Sequence, residues 1–336
     1  MARPSRQKIY DDLDAAITEM RQRWGGLPTP DQVSQVWILW HQHDTHHSTA
    51  IEGNTLSQAQ VDSIIDGTRR ATGGNDLIHD VEVMGYSRAA QWVYAQARSD
   101  AESGWPTEGL ISLTEVREIH RQIMETAWMF RPHPEATGDE GPGSWRRHEI
   151  RPFGAGMTPP SFVEIDAQML DWVIETNSLN AATETPLLER IARSHAEFER
   201  IHPFLDGNGR TGRLLLNLIL LRLGYPPAII HLRQRERYLR ALHQADGGNY
   251  GPLGEMLARS VTENLYQLLV PILARPWELV PLASLVEPDL SLRALRAAAE
   301  RSRLRAVKSP AGRWLSTSEW VTDYLESKYD RRKGRQ

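Results

Sequence analysis

The chain has 336 residues, of which 40% are hydrophobic and 24% charged, and its formal net charge is −4 at pH 7. This is the composition of an ordinary globular protein. The absence of cysteine excludes a disulfide framework and gives no reason to expect secretion. No apolar run approaches the roughly 18 residues of a membrane span, and the N-terminus leads into acidic residues rather than an apolar core. We therefore expect a cytoplasmic protein with no membrane partner.

The hydrophobic spacing predicts helices over most of the chain and strands in few places. In chain order, the predicted helices are Ile9–Arg23, Pro30–Ala50, Gln58–Asp66, Val81–Ala97, Ser112–Thr126, Phe162–Glu175, Pro186–Arg200, Arg210–Leu223, Arg235–Gln244, Pro252–Ala258 and Val261–Leu273. This pattern indicates an all-α fold.

The segment Ser48-Thr49-Ala50-Ile51-Glu52-Gly53-Asn54 ends one predicted helix. Ser48 and Glu52 are four residues apart, so they lie on the same helix face. Gly53 can end the helix in a left-handed conformation, and Ser57 with Gln60 predicts a capping box for the next helix. Taken alone, the segment is typical of a surface helix end.

Histidines precede this segment at positions 41, 43, 46 and 47, together with Asp44. His43 and His47 share a helix face, which raises the alternative of a metal site. Because no Cys or Glu completes a known ligand spacing, we expect solvated or pocket-lining histidines instead.

A short hairpin is predicted between Gly143 and Pro160. Trp145, Arg147 and Glu149 alternate with their neighbours, and a pair of prolines ends the stretch. The alternative is an ordinary surface loop.

The most informative stretch runs from His202 to Arg213, His-Pro-Phe-Leu-Asp-Gly-Asn-Gly-Arg-Thr-Gly-Arg. Gly207 and Gly209 flank Asn208, and all three can point successive N–H groups inward. The apolar helix that follows adds its free N-terminal N–H groups and the positive end of its dipole. These features predict a concave anion site.

Charged side chains complete this predicted site. Arg210 and Arg213 are three residues apart and project from one side of the first turn, where guanidinium forks suit phosphate oxygens. Asp206 is a lone carboxylate beside the loop, which is how Mg²⁺ is usually held near phosphates. His202 has an ordinary pKa near neutrality and can accept a proton from an attacking hydroxyl. The stretch therefore predicts a site that binds a polyphosphate and transfers part of it.

This stretch resembles the signature of the Fic family, His-Pro-Phe-x-Asp-Gly-Asn-Gly-Arg-x-x-Arg, whose members transfer AMP from ATP to protein hydroxyls. The resemblance covers roughly residues 30 to 265 and implies a Fic-domain helical bundle. It implies that His202 is the general base and that Asp206 binds Mg²⁺ between the α and β phosphates. The ATP-binding residues that it implies are Gly207, Asn208, Gly209, Arg210, Thr211, Gly212 and Arg213.

The same resemblance gives three other regions an interpretation. Ser48 and Glu52 match an inhibitory motif, in which the glutamate pairs with Arg213 and keeps it from the γ phosphate. Residues 145–160 occupy the place of the flap on which a target protein docks. Tyr238 becomes a candidate wall of the adenine pocket, with a core tyrosine as the alternative. Some relatives have a second tyrosine and a nearby asparagine where this chain has Leu239 and Asp246, so base contacts differ here.

The composition becomes basic toward the C-terminus, where residues 301–336 carry ten Lys or Arg against four Asp or Glu. A short helix at 282–285, a helix from Ser291 to about Ser302, two strands at 304–308 and 313–315 and a last helix capped by Thr317 are predicted. This order resembles a winged helix-turn-helix module. If so, DNA phosphates would face a set of basic residues, Arg293, Arg296, Arg301, Arg303 and Lys308, with the tail Arg331–Arg335. The alternative is a basic face that packs on the acidic body or docks a protein.

The sequence thus predicts three regions: an N-terminal helical region with the inhibitory helix (1–100), a Fic catalytic core (101–275) and a basic winged-helix-like domain (276–336). The predicted function is an auto-inhibited protein adenylyltransferase that uses Mg·ATP. Two alternatives stay open, an enzyme that removes AMP and a DNA-binding regulator that uses the Fic fold as a nucleotide sensor. Whether the chain forms a homodimer also stays open.

Overall fold

The computed structural model describes residues 4–69, 75–103, 109–150, 157–179, 183–301, 303–309 and 311–333. The chain divides into two compact units, one ending at Val261 and the other beginning at Thr262. The mostly helical fold that the sequence predicts is confirmed. The division into three regions stays a prediction.

Ten helices begin within the described part of the first unit. They are α1 (Arg6–Trp24), α2 (Ser34–Ile51), α3 (Gln58–Ile65), α4 (Asn75–Ser103), α5 (Leu113–Phe130), α6 (Ile165–Asn177), α7 (Leu187–Ile201), α8 (Asn208–Arg222), α9 (Arg235–Asp246) and α10 (Gly251–Asn264).

Side chains at the helix ends explain several of these bounds. Ser5 accepts a hydrogen bond from the backbone N–H of Lys8 and begins α1, and Gly25 ends it in a left-handed conformation. The predicted capping box of Ser57 and Gln60 at the start of α3 is confirmed.

Helix α8 lies at the centre of the first unit and packs against α2, α4, α5 and α7. Its residues from Arg210 to Leu221 are buried on every side. A helix that is apolar all round is expected at the centre of a helical fold. The motif that begins this helix is therefore held by the core rather than by a surface loop.

Some predicted helix ends are wrong. Helix α4 begins at Asn75 instead of Val81, because the polar Asp80 is buried in an ion pair with Arg69 (2.8 Å). Helix α10 does not stop at Ala258 but runs to Asn264, and Ser260 donates a hydrogen bond to the carbonyl of Ile229 (2.8 Å).

The predicted hairpin between residues 143 and 160 is not found in the described residues of that stretch, 143–150 and 157–160, which form no strand. Residues 151–156 lie outside the described residues. Trp145 and Arg146 are both buried although they are consecutive, so the alternation expected of a half-buried strand is absent. Backbone carbonyls here are bound by a side chain, as described below, and not by a partner strand.

The second unit contains a wide π-helical turn (Leu265–Leu269) and the short helix α11 (Val270–Leu273). Strands β1 (Val280–Pro281), β2 (Val307–Lys308) and β3 (Trp314–Ser316) form an antiparallel sheet in the order β1-β3-β2. A 3-10 turn (Leu282–Leu285) and helices α12 (Leu292–Glu300) and α13 (Ser318–Lys333) complete it.

The core of the second unit consists of small and branched apolar side chains from these elements, Leu282, Leu290, Leu295, Ala298, Ala299, Leu304 and Val321. The short helix, helix, hairpin and helix predicted from the sequence are present. Their identity as a winged-helix module stays a prediction. In the part of the chain that the structure describes, no helix is long and apolar enough to cross a membrane.

Candidate active site

The loop between α7 and α8 begins at His202, whose backbone is left-handed (φ 49°). Among the described residues, it is the only non-glycine residue with a positive φ. Such a conformation is uncommon for residues other than glycine, and it persists only where its surroundings hold it. The N–H of His202 donates to the carbonyl of Phe198 (3.1 Å), and its own carbonyl accepts from Nε of Arg146 (3.0 Å).

The side chain of Asn208 closes the loop. Its Oδ1 accepts from the N–H of Phe204 (2.9 Å), and its Nδ2 donates to the carbonyl of the same residue (2.8 Å). The hydroxyl of Thr211 donates to the carbonyl of Gly207 (2.9 Å). The side chains of Asn208 and Thr211 therefore shape the loop and leave backbone N–H groups at the start of α8 for an anion.

His120 on α5 supports the loop from below, which the sequence reasoning missed. Its ring stacks on Phe204 with centroids 3.6 Å apart and an angle of 4°. Nδ1 accepts from the N–H of Gly143 (2.8 Å), so Nε2 carries the proton that goes to the carbonyl of Asp206 (2.9 Å). Burial lowers the pKa of His120 to about 3, which keeps the ring neutral. The sequence feature that could have identified His120 is its position as a histidine on the apolar face of α5.

His202 is oriented as a base would need to be. Its Nδ1 lies 3.2 Å from the carbonyl of Glu199, and a carbonyl can only accept, so Nδ1 carries the proton and Nε2 is the basic nitrogen. Burial lowers the pKa of His202 to about 4, so the neutral form dominates near pH 7.

Asp206 and Arg210 lie at the mouth of the loop. Asp206 Oδ1 accepts from the N–H of Gly207 (2.6 Å) and lies 3.3 Å from Nη2 of Arg210. The Asp206 side chain is 49% exposed, whereas that of Arg210 is 7% exposed. A carboxylate thus faces solvent beside a buried guanidinium.

Arg213 does not lie beside Arg210 in an open clamp but is bound to the end of α2. Its Nε donates to Ser48 Oγ (2.8 Å), and its Nη2 donates to the carbonyl of Ser48 (2.9 Å) and to Glu52 Oε1 (2.8 Å). The guanidinium is buried, and the Glu52 side chain is 41% exposed. The structure therefore brings together residues that are 161 to 165 positions apart.

The carboxylate of Glu52 occupies the space over the N-terminus of α8. A Cβ on Gly209 would collide with Glu52 Oε1 and would lie 3.1 Å from Nη1 of Arg213. Burial by itself would raise the pKa of Glu52, but the positive charge and hydrogen bond of Arg213 outweigh it, so the net pKa is lowered. Glu52 is thus an anion bound where a phosphate would be expected.

Buried polar groups fix the helix that carries Ser48. Asp44 Oδ2, one turn earlier on α2, accepts from the hydroxyl of Tyr94 (3.0 Å) and from Nδ2 of Asn217 on α8 (3.3 Å). Asn217 in turn accepts from the N–H of Ala228 (2.9 Å). These bonds join α2, α4 and α8 directly beneath the Arg213 contacts.

Two cavities meet at His202, Glu52 and Gly209. The larger, about 460 Å³, has an apolar wall and is lined by Ile51, Glu52, Met157, Glu199, His202, Gly209, Arg213, Arg235, Tyr238, Leu239, Leu242 and His243. The smaller, about 380 Å³, is polar and is lined by Glu52, Glu82, His133, Glu135, Ile150, His202, Leu205, Asp206, Gly207, Asn208, Gly209 and Arg210. The geometry offers an apolar chamber next to a polar one, with His202 lining both.

Tyr238 is both a core residue and a wall of the larger cavity. It is 1% exposed, and its hydroxyl lies 2.7 Å from Nε2 of His195. Leu239 is 41% exposed and lines the same cavity, whereas Asp246 does not.

Arg146 is the other contributor that the sequence reasoning missed. Its buried guanidinium donates to the carbonyls of His202 (3.0 Å), His148 (3.0 Å) and Pro160 (2.6 Å), and its N–H donates to the carbonyl of Pro203 (2.9 Å). Arg146 thereby ties the segment before α6 to the loop that carries His202.

The histidines of α2 contact each other and α9's leading segment. Nε2 of His47 lies 2.8 Å from Nδ1 of His231. In the described ranges, no group of three or more His, Cys, Asp or Glu side chains is arranged to hold a metal ion. The expectation that these histidines are solvated or line a pocket stays a prediction, and none of the four lines either of the two cavities described above.

Comparison with known proteins identifies the family of this chain. A profile described as the Fic/DOC family matches residues 110–220, which include the loop and all but the last two residues of α8. The chain is 33% identical over 266 residues to protein adenylyltransferase Fic of Nematostella vectensis, covering 77% of this chain and 56% of that protein. The Drosophila erecta protein of the same name is 33% identical over 226 residues, which cover 67% of this chain and 41% of that protein. The chain spans about half the length of the curated relatives it matches.

Solved structures give the same result. Fic-1 from C. elegans aligns with a TM-score of 0.59 at 26% identity, covering 77% of this chain and 70% of that one. A Fic family protein from Desulfovibrio desulfuricans G20 aligns with a TM-score of 0.57 at 21% identity and covers 94% of this chain, which is a likeness of fold. The chain belongs to the Fic/DOC family.

Proposed function

We propose that this protein is an auto-inhibited protein adenylyltransferase that transfers AMP from Mg·ATP to a hydroxyl side chain of a target protein. The single observation that carries the proposal is the placement of His202 between an apolar chamber and an anion-binding loop. Relatives named protein adenylyltransferase Fic support it.

The reaction follows from this placement. Neutral His202 takes the proton of the target hydroxyl at Nε2 while the hydroxyl oxygen attacks the α phosphorus of ATP. The bond from that phosphorus to the bridging oxygen breaks, and pyrophosphate leaves. The backbone N–H groups at the start of α8 stabilise the negative charge that develops on the phosphates, and such preorganised donors are usually the main source of catalysis.

The residues present fit a Mg²⁺ ion. Asp206 is half-exposed and lines the polar cavity, and a single carboxylate suits an ion whose other ligands are substrate phosphates and water. Asp206 would hold the ion, which would neutralise charge on the phosphates of the bound nucleotide.

The two chambers accommodate the rest of the substrates. The adenosine would occupy the larger cavity against Tyr238, Leu239 and Leu242. The described ends of the 145–160 segment place Ile150 at the polar cavity and Met157 at the apolar one. We therefore propose this segment as the docking site of the target protein, beside His202.

Glu52 is the proposed brake. Its carboxylate binds the donor of Arg213 that a γ phosphate would use and lies over the helix N-terminus, so it competes with the phosphate for the same groups. Ser48 accepts two further hydrogen bonds from that arginine, at its Oγ and at its carbonyl. Each ~1.4 kcal/mol in the Glu52–Arg213 contact would suppress the productive pose about tenfold.

The test is AMP transfer with α-labelled ATP and Mg²⁺, using a bacterial lysate as the pool of targets. We expect Glu52→Gly to raise labelling of the protein itself or of a target by at least ~10-fold. Glu135→Gly, which removes another carboxylate from the same cavity, is the matched control and should leave labelling at the parent level. Labelling by Glu52→Gly that stays at the parent level would show that Glu52 is not the brake.

Adding His202→Ala to Glu52→Gly should abolish the label, since the base is lost. Label that persists at the same rate would refute the role of His202. Absence of label in every sample, with ATP bound, would favour removal of AMP. The contact of Glu52 with both cavities supports that alternative, because a carboxylate there could orient a water molecule.

A second candidate function concerns the second unit. Arg293 and Arg296 are exposed on α12 beside small alanines, and Lys308 is exposed on β2. This arrangement would suit a winged helix-turn-helix module that binds DNA through phosphates. Binding of a labelled duplex should weaken steeply between 50 and 200 mM salt, on the order of 10-fold or more, and Arg293→Ala with Arg296→Ala should remove it. Binding that is absent at low salt, or insensitive to salt, would favour a protein-docking role.

A further inference from the structure

The side chain of Glu199 is a buried carboxyl that the proposed reaction leaves unused. It lies on α7, three residues before His202, and is 6% exposed. Its Oε1 has no hydrogen-bond partner in the described part of the chain. It lines the larger cavity together with Arg213 and Tyr238. Burying an ionised carboxylate costs free energy unless an opposite charge or hydrogen-bond donors lie close to it.

Two further buried groups extend from this carboxyl. Oε1 of Glu199 lies 3.9 Å from Nε2 of His195, which in turn lies 2.7 Å from the hydroxyl of Tyr238. His195 and Tyr238 are 4% and 1% exposed. Burial lowers the pKa of His195 to about 3, so it is a neutral ring near the carboxyl that contacts the phenol.

The space for this carboxyl is provided by α8 itself. A Cβ on Gly212 would collide with Glu199 Oε1. Gly212 precedes Arg213, so the missing side chain lets the carboxyl approach the helix at the very turn that carries the arginine.

Arg213 thus shares the larger cavity with two carboxyls, those of Glu52 and Glu199. The hydrogen bonds of its guanidinium go to Ser48 and Glu52, Arg213 is 3% exposed, and its positive charge opposes the rise in the pKa of Glu199. Leaving a buried charge without a counter-charge is strongly unfavourable. When Glu52 withdraws, Glu199 is the carboxyl that remains beside Arg213.

We propose that Glu199 is a positioning residue for Arg213: after Glu52 withdraws, its carboxylate keeps the guanidinium directed toward the terminal phosphate of ATP. The proposal rests on the proposed function, in which Arg213 binds that phosphate. Glu52 is then the removable carboxylate and Glu199 the permanent one.

Electrostatics agree with this division. Burial raises the pKa of Glu199 to about 7, Arg213 opposes that rise, and Glu52 adds to it. Loss of Glu52 therefore lowers the pKa of Glu199 and favours its charged form when Arg213 needs a counter-charge.

The experiment compares ATP and ADP binding by calorimetry in proteins that all carry Glu52→Gly. Adding Glu199→Gln should weaken ATP binding roughly tenfold, the size expected for one charge-assisted contact, and leave ADP binding unchanged. Adding Glu197→Gln is the matched control: this carboxylate is on the same helix but pairs with Arg200 (2.9 Å), and its loss should change neither. Glu199→Asp, which keeps the charge, should recover part of the ATP affinity.

Equal loss of ATP and ADP binding, or no change in either, would overturn the role of Glu199 while leaving the proposed function intact. If the Glu52→Gly protein itself binds ATP and ADP equally, the phosphate contact of Arg213 is refuted, and this proposal with it. Should Glu199→Gln not fold, Glu199→Asp alone carries the test and should produce a smaller loss of ATP binding with ADP binding unchanged.

Measuring ATP and ADP binding over a range of pH adds a second test, because a Glu199 that served only in packing would not change the pH dependence. The charged and titratable groups that face Glu199 are His195 and His202 on α7 and its cap, Arg213 on α8, Tyr238 on α9 and Glu52 after α2. In the Glu52→Gly protein, the preference for ATP over ADP should fall as the pH drops through the pKa of Glu199, because the protonated carboxyl has no charge. With Glu199→Gln that additional fall should be absent. Identical profiles for the two proteins would contradict the proposal.

Discussion

Single side chains, and single missing ones, determine the shape of the loop that precedes α8. Gly207 has a φ of 78°, and a Cβ there would lie 2.7 Å from Sδ of Met124. Only a glycine satisfies both the left-handed backbone and the close packing of α5. The loop therefore depends on what Gly207 lacks as much as on the ring of His120 beneath it.

Gly207→Ala should lower the free energy of unfolding by more than the roughly 1–2 kcal/mol that a left-handed alanine costs, because the methyl group also collides with Met124. The matched control is Gly248→Ala, where φ is 84° but nothing lies within 4 Å of the added Cβ. Chemical unfolding of the two variants measures the difference. Equal losses would show that Met124 moves aside at no cost.

At this scale the sequence predicts the residues whose chemistry is local. The loop glycines, Asp206 and His202 are adjacent in the chain, so their joint use is readable from the motif. Arg146 and Glu199 are not readable in this way. An arginine that donates to three carbonyls and a carboxyl beneath an arginine look like surface charges in a sequence, because only the fold makes them buried.

Between elements, the segment from Gly143 to Pro160 illustrates how a side chain can replace a strand partner. The guanidinium of Arg146 donates to the carbonyls of His148 and Pro160 within this segment. It also donates to the carbonyl of His202. The alternating pattern predicted a hairpin, since polarity alone does not reveal that Arg146 points inward. The position of His202 relative to the proposed target-docking segment therefore depends on the guanidinium group of Arg146.

Arg146→Lys keeps the charge but loses the planar fork, so at least one buried carbonyl loses its donor. We expect a stability loss of about 1–3 kcal/mol and a lower rate of AMP transfer in the Glu52→Gly background. Arg147→Lys, at the exposed neighbouring position, should change neither. Thermal unfolding and labelling rates check both variants, and an unchanged Arg146→Lys protein would show that the segment does not need the fork.

The contact between α2 and α8 joins parts of the chain that periodicity cannot connect. Ser48 and Arg213 are 165 positions apart, and each helix pattern predicts only which face is buried. The resemblance to a known family supplied the pairing of Glu52 with Arg213, and the geometry places the two in contact. The hydrogen bonds of Asp44 with Tyr94 and Asn217 could not be predicted from the sequence, which shows only that these polar residues lie within apolar helices.

Over the whole molecule, the sequence predicts best those elements that depend on interactions between residues close together in the chain. The small elements of the second unit were readable because caps, turns and alternation act within a few residues. The ends of α4 and α10 were not, since buried polar partners extended both helices beyond their apolar patterns.

The pH dependence of stability is a property of the first unit as a whole. Burial is the first cause of the lowered pKa values of His47, His120 and His195 (about 3) and of His202 (about 4). Burial also raises those of Asp44 (about 6) and Glu199 (about 7). Below the unfolded histidine value of about 6.5, the unfolded chain binds more protons at the histidines, so their contribution falls as the pH falls. The two carboxyls act in the opposite direction but are fewer.

We therefore expect the free energy of unfolding to decrease by a few kcal/mol, on the order of one proton's linkage per pH unit, between pH 7 and pH 5. Urea unfolding at the two pH values measures it. His47→Gln should reduce the decrease, whereas His243→Gln, at an exposed position, should not. A stability that rises toward pH 5 would show that the carboxyls outweigh the histidines.

Ser48 and Glu52, the two partners of Arg213 at the end of α2, also differ in how fast their contacts with the arginine can break. Ser48 is buried within the helix, and releasing it requires the helix itself to shift, which takes microseconds to milliseconds. Glu52 lies just after the last turn with its side chain 41% exposed, so a rotation about its own bonds, in picoseconds to nanoseconds once the ion pair opens, is enough. The proposed inhibitory contact can thus be broken by one side chain while the backbone around it keeps its place, so the proposed switch moves only a single carboxylate.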